Sequence, residues 1–250
     1  MTDADPSFET QSLVAIGLIV AIGFVHIASI PIIRSLPKFA YRLADFTAGI
    51  GLGYVFLYLL PKIGDATTKL QSAGAPGTNE FLTYRYYLYL LLGFLIYYLT
   101  FAEPGKDRNR SSPRLYFDIS IFCIYNILVA ITALHLDRAH YFAHLIVAAV
   151  FMLHLFGINF SLIKWHGHAI ERWIRWAFTG SLAFGIVLGV TIEPGDHFVM
   201  IATSLVGGII IILSTRLKLP TKDALDRVPF LIGITLAIAL AYAGRSIDKL

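Results

Sequence analysis

Eight stretches of apolar residues recur along the chain, with short polar segments between them. Each stretch has 17 to 23 residues and few charges, and a bilayer core about 30 Å thick requires about 20 apolar residues in a helix. We therefore predict an all-α, polytopic membrane protein with eight transmembrane helices. The runs cover 12–33, 44–61, 81–101, 115–135, 141–163, 173–192, 198–215 and 228–244.

Composition supports this interpretation and excludes most soluble classes of protein. Apolar residues make up 57% of the 250 residues and charged residues 14%, against about 25% charged in an average soluble domain. A soluble enzyme, a disordered chain and a nucleic-acid-binding protein are therefore disfavoured. The polar segments are too short for a soluble domain, so 1–250 is expected to form a single transmembrane domain. The one cysteine, Cys123, lies within an apolar run and is expected to be a small buried hydrophobe.

Basic residues are distributed unequally between the two sets of alternating loops. Fourteen lie in the first, third, fifth and seventh loops and six on the opposite side, which accounts for all 20. Because lysine and arginine are enriched in cytoplasmic loops, this predicts that both termini lie outside the cytoplasm. The segment 1–10 has no basic residue, so the first run is expected to remain as a helix and not to be a cleaved signal peptide. We expect a plasma membrane or a bacterial inner membrane, with the lipid bilayer as the first partner and no nucleic acid.

Small residues inside several runs predict closely packed helices. Gly185 and Gly189 form a small-xxx-small pair, and further glycines interrupt the second and seventh runs. Such residues allow a neighbouring backbone to approach. The pattern is compatible with a homodimer or a larger membrane complex, although packing within one chain explains it equally well.

A few polar residues fall at membrane depth, where they are costly unless partnered and therefore mark candidate functional sites. Two of them are deep in consecutive runs. Asn126 is about 16 Å from the cytoplasmic start of the fourth run and His154 about 14 Å from the cytoplasmic end of the fifth, at 1.5 Å per residue. The two side chains are therefore expected to meet near the midplane, either as a hydrogen bond between helices or as a metal or proton site. The other residues of this kind are His26, Asp45, Asp118, His135 and His144.

Other chemistries are less well supported by the residue patterns. His140 and His154 have a spacing that could hold two haems, but this requires a matching pair of histidines on another run, which the sequence lacks. His166 and His168 are expected to lie in a solvated loop. No zinc-protease, nucleophile-elbow or phosphate-loop motif occurs, so we expect no enzymatic activity.

Three features resemble the ZIP (Zrt/Irt-like) family of divalent-metal transporters. The first is the architecture of eight spans with both termini outside. The second is the sequence ADFTAGIGLGYVFLYLLPKIG in the second run, and the third is the pair of segments 125–130 and 154–159, which fall where the family has its two metal-binding motifs. The likeness covers nearly the whole chain, and each motif is partial.

The resemblance implies a divalent metal, zinc or iron, bound at the midplane, but the implied ligand set is eroded. Asn126 and His154 retain the family's residue types. Where the family has charged ligands or histidine, this chain has neutral or apolar side chains: Tyr125, Val129, Leu155, Asn159 and Tyr58, with Lys62 in place of a glutamate. A desolvated divalent ion needs anionic or imidazole ligands, so we expect weak metal binding.

Two functions remain open at this point. The first, implied by the resemblance, is transmembrane transport of a zinc- or iron-class ion. The alternative is a non-transporting membrane subunit or scaffold of the same fold that binds a protein partner. A site rebuilt around His26, His135 or His144 is a further alternative.

Overall fold

The computed structural model describes residues 6–72, 84–100, 113–135, 141–166, 173–192, 194–216 and 226–247. Within those ranges the chain forms eight helices and no strand. They are α1 (Pro6–Ser35), α2 (Pro37–Tyr54, continuing through a π-helical turn at Val55–Leu59 into Leu60–Ser72), α3 (Arg85–Thr100), α4 (Pro113–His135), α5 (Tyr141–His166), α6 (Arg175–Ile192), α7 (Asp196–Arg216) and α8 (Arg227–Ile247).

Membrane character follows from the length and composition of these helices. Five stretches in the described ranges are long and apolar enough to cross a bilayer, and the chain is therefore a helical, multi-pass membrane protein. They are Ile16–Ser35, Pro37–Ser72, Tyr116–His135, Arg175–Ile192 and Asp196–Thr215. The described apolar stretches of the other three helices, Arg85–Leu99, Ala148–Ile163 and Arg227–Tyr242, are shorter.

Helix α2 is longer than the second apolar run predicted. It has 36 residues, or about 54 Å at 1.5 Å per residue, and so exceeds the thickness of the bilayer core. Pro37 starts it at the first helical position, where a missing N–H costs nothing. The π-helical turn ends just before Pro61, a residue that cannot donate the usual helical hydrogen bond. Beyond it the helix continues because Ile63 and Thr67 are still buried.

The helices pair in a pattern that occurs twice. Helix α1 packs chiefly on α5 and α6 chiefly on α4, while α2 packs on α8 and α7 on α3. One further set of contacts follows the same rule, since α2 also touches α5 and α7 also touches α4. These helix pairs map onto one another when α1 is exchanged with α6, α2 with α7, α3 with α8, and α4 with α5. The bundle therefore consists of two halves that are similar in their main helix pairs.

Glycines define the first of the two outer helix pairs, α2 with α8. A Cβ on Gly49 would collide with the carbonyl oxygen of Phe230, and a Cβ on Gly233 would collide with the carbonyl oxygen of Phe46. The two backbones are thus in direct contact at reciprocal positions, which only glycine permits.

The second outer pair, α3 with α7, repeats this contact. A Cβ on Gly93 would collide with the Leu205 carbonyl oxygen, and a Cβ on Gly208 would collide with the Leu90 carbonyl oxygen. In both pairs each glycine follows the contacted residue of its own helix by three positions. The correspondence supports the division into two halves at the level of single residues.

The predicted small-xxx-small contact is confirmed within the chain. A Cβ on Gly185 would lie 2.8 Å from the Ala130 side chain, and one on Gly189 would lie 2.7 Å from Leu134. Both partners belong to α4, so this face of α6 is covered by the chain itself.

Candidate functional site

Asn126 and His154 are both buried in the bundle, but they face different neighbours. Helix α4 packs mainly on α6, and α5 packs mainly on α1 and α2, so α4 and α5 share few contacts. The hydrogen bond expected between Asn126 and His154 does not form, since Asn126 Nδ2 donates to the Phe178 carbonyl oxygen while Asn126 Oδ1 and His154 Nε2 have no partner. That expectation used depth alone, and depth does not determine the direction in which a side chain points around its helix.

Asn159, at the last ligand position that the resemblance implies, lies against α1. Its Oδ1 is 2.9 Å from His26 Nδ1, and its Nδ2 donates to the Val25 carbonyl oxygen at 3.5 Å. The carbonyl can only accept a hydrogen bond, so it fixes the orientation of the Asn159 amide. Oδ1 must then accept from His26, and the His26 proton is assigned to Nδ1 by this network.

The other ring nitrogen of His26 is left with a lone pair and no donor. His26 is 2% exposed, and its Nε2 has no hydrogen-bond partner. The ring packs on Phe178 of α6 with centroids 5.4 Å apart. An unsatisfied buried polar atom of this kind costs about 1–3 kcal/mol, so its presence in the bundle calls for a functional explanation.

Asn126 is a second amide close to this ring. Its Nδ2 donates to the Phe178 carbonyl oxygen at 3.5 Å, which leaves Oδ1 as the free acceptor, buried and without a partner. The Asn126 amide is close enough to the His26 ring to interact with it. Three helices, α1, α4 and α5, therefore bring His26, Asn126 and Asn159 together.

His154 occupies a different part of the interior. A Cβ on Gly51 of α2 would lie 3.0 Å from His154 Nδ1 and 2.7 Å from Ser214 Oγ of α7. Its ring centroid is 6.4 Å from that of Tyr125, and its Nε2 is buried without a partner. The imidazole thus lies between α2, α4 and α7, while Asn126 faces α6 and α1.

The positions where the resemblance implies charged ligands are filled by tightly packed side chains. Val129 and Leu155 are fully buried and belong to the main hydrophobic core. Tyr125 is 1% exposed, and its ring packs on Phe122 with centroids 6.4 Å apart. Without a carboxylate at these positions, this part of the core carries no formal negative charge.

Tyr58 and Lys62 form a separate small group on α2. The Tyr58 ring stacks on Tyr54 with centroids 5.2 Å apart, and the Lys62 ammonium is 5.7 Å from the Tyr58 ring centroid. This arrangement is a cation–π contact. It occupies the place where the resemblance implies a histidine and a glutamate.

Across the described ranges, no three or more histidine, cysteine, aspartate or glutamate side chains are grouped so that they could hold a metal ion. No model of a known protein family matches the chain, and no curated protein matches it either. The arrangement of the polar side chains is therefore the basis for any functional conclusion.

Asp45, which the sequence places near a helix end, has a structural role. Its Oδ2 accepts a hydrogen bond from the Asp226 backbone N–H at 3.1 Å, and Asp226 Oδ1 accepts from the Val228 N–H at 3.3 Å. Arg42 adds an ion pair with Asp226 at 3.6 Å. These contacts connect the start of α8 to α2.

The remaining candidate residues lie on α4 or outside the described residues. His135 Nδ1 lies 3.0 Å from the Ile131 carbonyl oxygen of its own helix, and Asp118 is buried in α4. The Cys123 thiol is half-buried, 3.9 Å from the Ala177 carbonyl oxygen. The side chains of His140, His144, His166 and His168 and the loop 102–112 lie outside the described residues.

The role of His26 beside the two asparagines was missed from the sequence. One signal was present: Asn159 follows His154 by five residues, which is about 140° around a helix with 3.6 residues per turn. The two ligand positions that the resemblance implies on α5 therefore face different neighbours, and α1, which carries His26, is the neighbour on the Asn159 side.

Proposed function

We propose that this chain is a ZIP-like membrane transport protein with eight spans, and that its cargo is a divalent metal ion of the zinc or iron class. The observation that carries the proposal is the convergence of His26, Asn126 and Asn159 in the interior, with unsatisfied acceptor atoms on two of them. Ionisable and polar groups at membrane depth mark ion and substrate pathways.

The two similar halves support a transport function. In the proposed topology the corresponding helices α1 and α6 are five helices apart, so they cross the membrane in opposite directions. Inverted repeats of this kind occur in many secondary transporters, whose substrate sites lie near the midplane between the repeats. Asn126 and Asn159 lie on α4 and α5, the two helices that exchange with each other.

The proposed topology requires α3, α5 and α8 to cross the membrane as well, and places both termini outside the cytoplasm. The distribution of basic residues supports this orientation. Single cysteines at positions 107 and 221, in a Cys123→Ala background, should resist a membrane-impermeant thiol reagent applied from outside. Labelling at both positions from outside would reverse the orientation.

The strength of metal binding gives a direct test of the cargo. We expect the wild-type protein to bind zinc weakly, because neutral ligands return only part of the lost hydration energy. The triple change Tyr125→His, Val129→Asp and Leu155→Glu restores the ligand types that the resemblance implies and should tighten zinc binding. Titration of both proteins in detergent, with helical circular dichroism as the folding control, would decide this. Tight zinc in the wild type would contradict the eroded site.

A non-transporting membrane subunit that binds a protein partner is the second candidate. It is favoured by one specific observation, namely that Tyr125, Val129 and Leu155 fill the family ligand positions as packed core residues. Zinc uptake into proteoliposomes separates the two functions. Uptake above that of protein-free vesicles supports transport, and its absence with folded protein supports the subunit.

A further inference from the structure

His26 has the hydrogen-bonding arrangement of a metal-ligating imidazole. Histidines that bind metals nearly always donate their other ring N–H to an oxygen atom, which fixes the tautomer and the ring orientation. Here Nδ1 is fixed by Asn159 Oδ1 at 2.9 Å, and the Asn159 amide is itself oriented by the Val25 carbonyl. The Nε2 lone pair is thereby left free.

The second acceptor without a partner belongs to Asn126, whose amide lies close to the His26 ring. Asn126 donates its amide N–H to the Phe178 carbonyl, so its Oδ1 offers lone pairs only. Neither His26 Nε2 nor Asn126 Oδ1 has a hydrogen-bond partner. Two neighbouring buried acceptors without a donor can be satisfied by a cation.

We propose that a zinc-class divalent ion binds between His26 Nε2 and Asn126 Oδ1, with Asn159 as the positioning residue. This inference rests on the proposed transport function and names its binding site. An imidazole ligand favours zinc-class ions over magnesium and calcium, which prefer oxygen ligands alone. With no carboxylate in the set, binding is weak, and water completes the coordination.

His154 is excluded from this ligand set by its position. Its contacts are with Gly51 of α2 and Tyr125 of α4, whereas Asn159 binds His26 and faces α1. His154 is therefore the matched control for His26, since it is an equally buried histidine with an Nε2 atom that has no partner.

The experiment is a zinc and cobalt titration of the full chain in detergent, with His166→Ala and His168→Ala as the common background. In that background His26→Gln, which retains a donor for Asn159, is expected to weaken binding at least about tenfold, and Asn159→Leu by about tenfold, as loss of an outer-shell partner does. His154→Gln should leave the affinity unchanged. Size-exclusion profiles and circular dichroism confirm that each variant is folded.

The outcomes separate this site from the proposed function. Absence of zinc and cobalt binding to the wild type, or equal binding by His26→Gln, would overturn the site. Loss of binding in His154→Gln alone would overturn it too, while leaving metal transport possible. If His26→Gln loses binding and proteoliposomes of the wild type take up no zinc, the site is supported and the transport function fails.

Discussion

The two buried asparagines occupy equivalent places in the two halves of the bundle but have different partners. Asn159 on α5 donates to the Val25 carbonyl of α1, and Asn126 on α4 donates to the Phe178 carbonyl of α6. Both bonds are 3.5 Å long, and both connect a central helix to the first helix of a repeat. The difference lies in the amide oxygens, because only that of Asn159 has a hydrogen-bond partner.

The residue that follows each carbonyl explains the difference. After Val25 comes His26, whose ring reaches Asn159. After Phe178 comes Thr179, whose hydroxyl donates to the Arg175 carbonyl of its own helix at 3.0 Å and lies 3.4 Å from the Gly23 carbonyl. A short hydroxyl that is bound to its own backbone cannot satisfy Asn126. A single imidazole thus makes two similar halves chemically unequal.

The largest expected effect comes from valine substitutions at the glycine contacts of the two outer helix pairs, one pair in each half. Gly49→Val in one half and Gly208→Val in the other each place a side chain on a backbone carbonyl of the neighbouring helix. Each should destabilise the protein by about 3 kcal/mol or more and abolish recovery of monodisperse protein. Gly180→Val, whose new Cβ would have nothing within 4 Å, is the control. A tolerated valine at either buried glycine would disprove the helix pairing.

The next effect should distinguish the two asparagines. Asn159→Leu leaves the buried His26 N–H without an acceptor and should cost about 2 kcal/mol. Asn126→Leu removes one long hydrogen bond and an oxygen that has no partner, so it should cost less than about 1 kcal/mol. Thermal unfolding in detergent without metal measures both. Equal losses of stability would contradict the inferred difference between the two amide oxygens.

A smaller effect is expected at the polar contact between α2 and α8. Asp45→Ala removes the acceptor for the Asp226 N–H, and helix-capping interactions of this kind contribute about 1 kcal/mol. Asp65→Ala on the exposed face of the same helix should change the unfolding midpoint little. Similar shifts for both variants would rule out a specific role for Asp45.

The smallest effect is expected at Thr179. Thr179→Val keeps the shape of the side chain and removes only hydroxyl contacts to backbone carbonyls that already accept hydrogen bonds within their helices. The free energy of unfolding should therefore change by less than about 1 kcal/mol. Thr179→His, in contrast, introduces an imidazole at the position equivalent to His26. A midpoint lowered by Thr179→Val as far as by Asn159→Leu would contradict the comparison.

Apolar runs were sufficient to predict the helices but not all of their ends. Each of the eight runs falls mainly within one helix, because about 20 apolar residues have few other folded forms in a membrane. The polar segments at both ends of α2 were missed, since Lys38, Arg42 and Lys69 are as compatible with a helix as with a loop.

Burial of Asn126 and His154 was anticipated, because depth along a run is readable from residue numbers, whereas Asn159 was named only as a ligand position implied by the resemblance. Their partners were not, since these depend on which helices pack together and on the angle between side chains around each helix. The glycines indicated close packing without identifying the partner helix, and that pairing determines that His26 lies beside Asn126.

X-ray absorption at the zinc edge tests the central claim most directly, because it counts imidazole ligands on the bound ion. With His166→Ala and His168→Ala as background, the zinc-loaded protein should show one imidazole together with oxygen ligands. His26→Gln should lose the imidazole signal and His154→Gln should retain it. Two imidazoles on zinc, or a spectrum that His26→Gln leaves unchanged, would contradict the claim that His26 and Asn126 form the metal site.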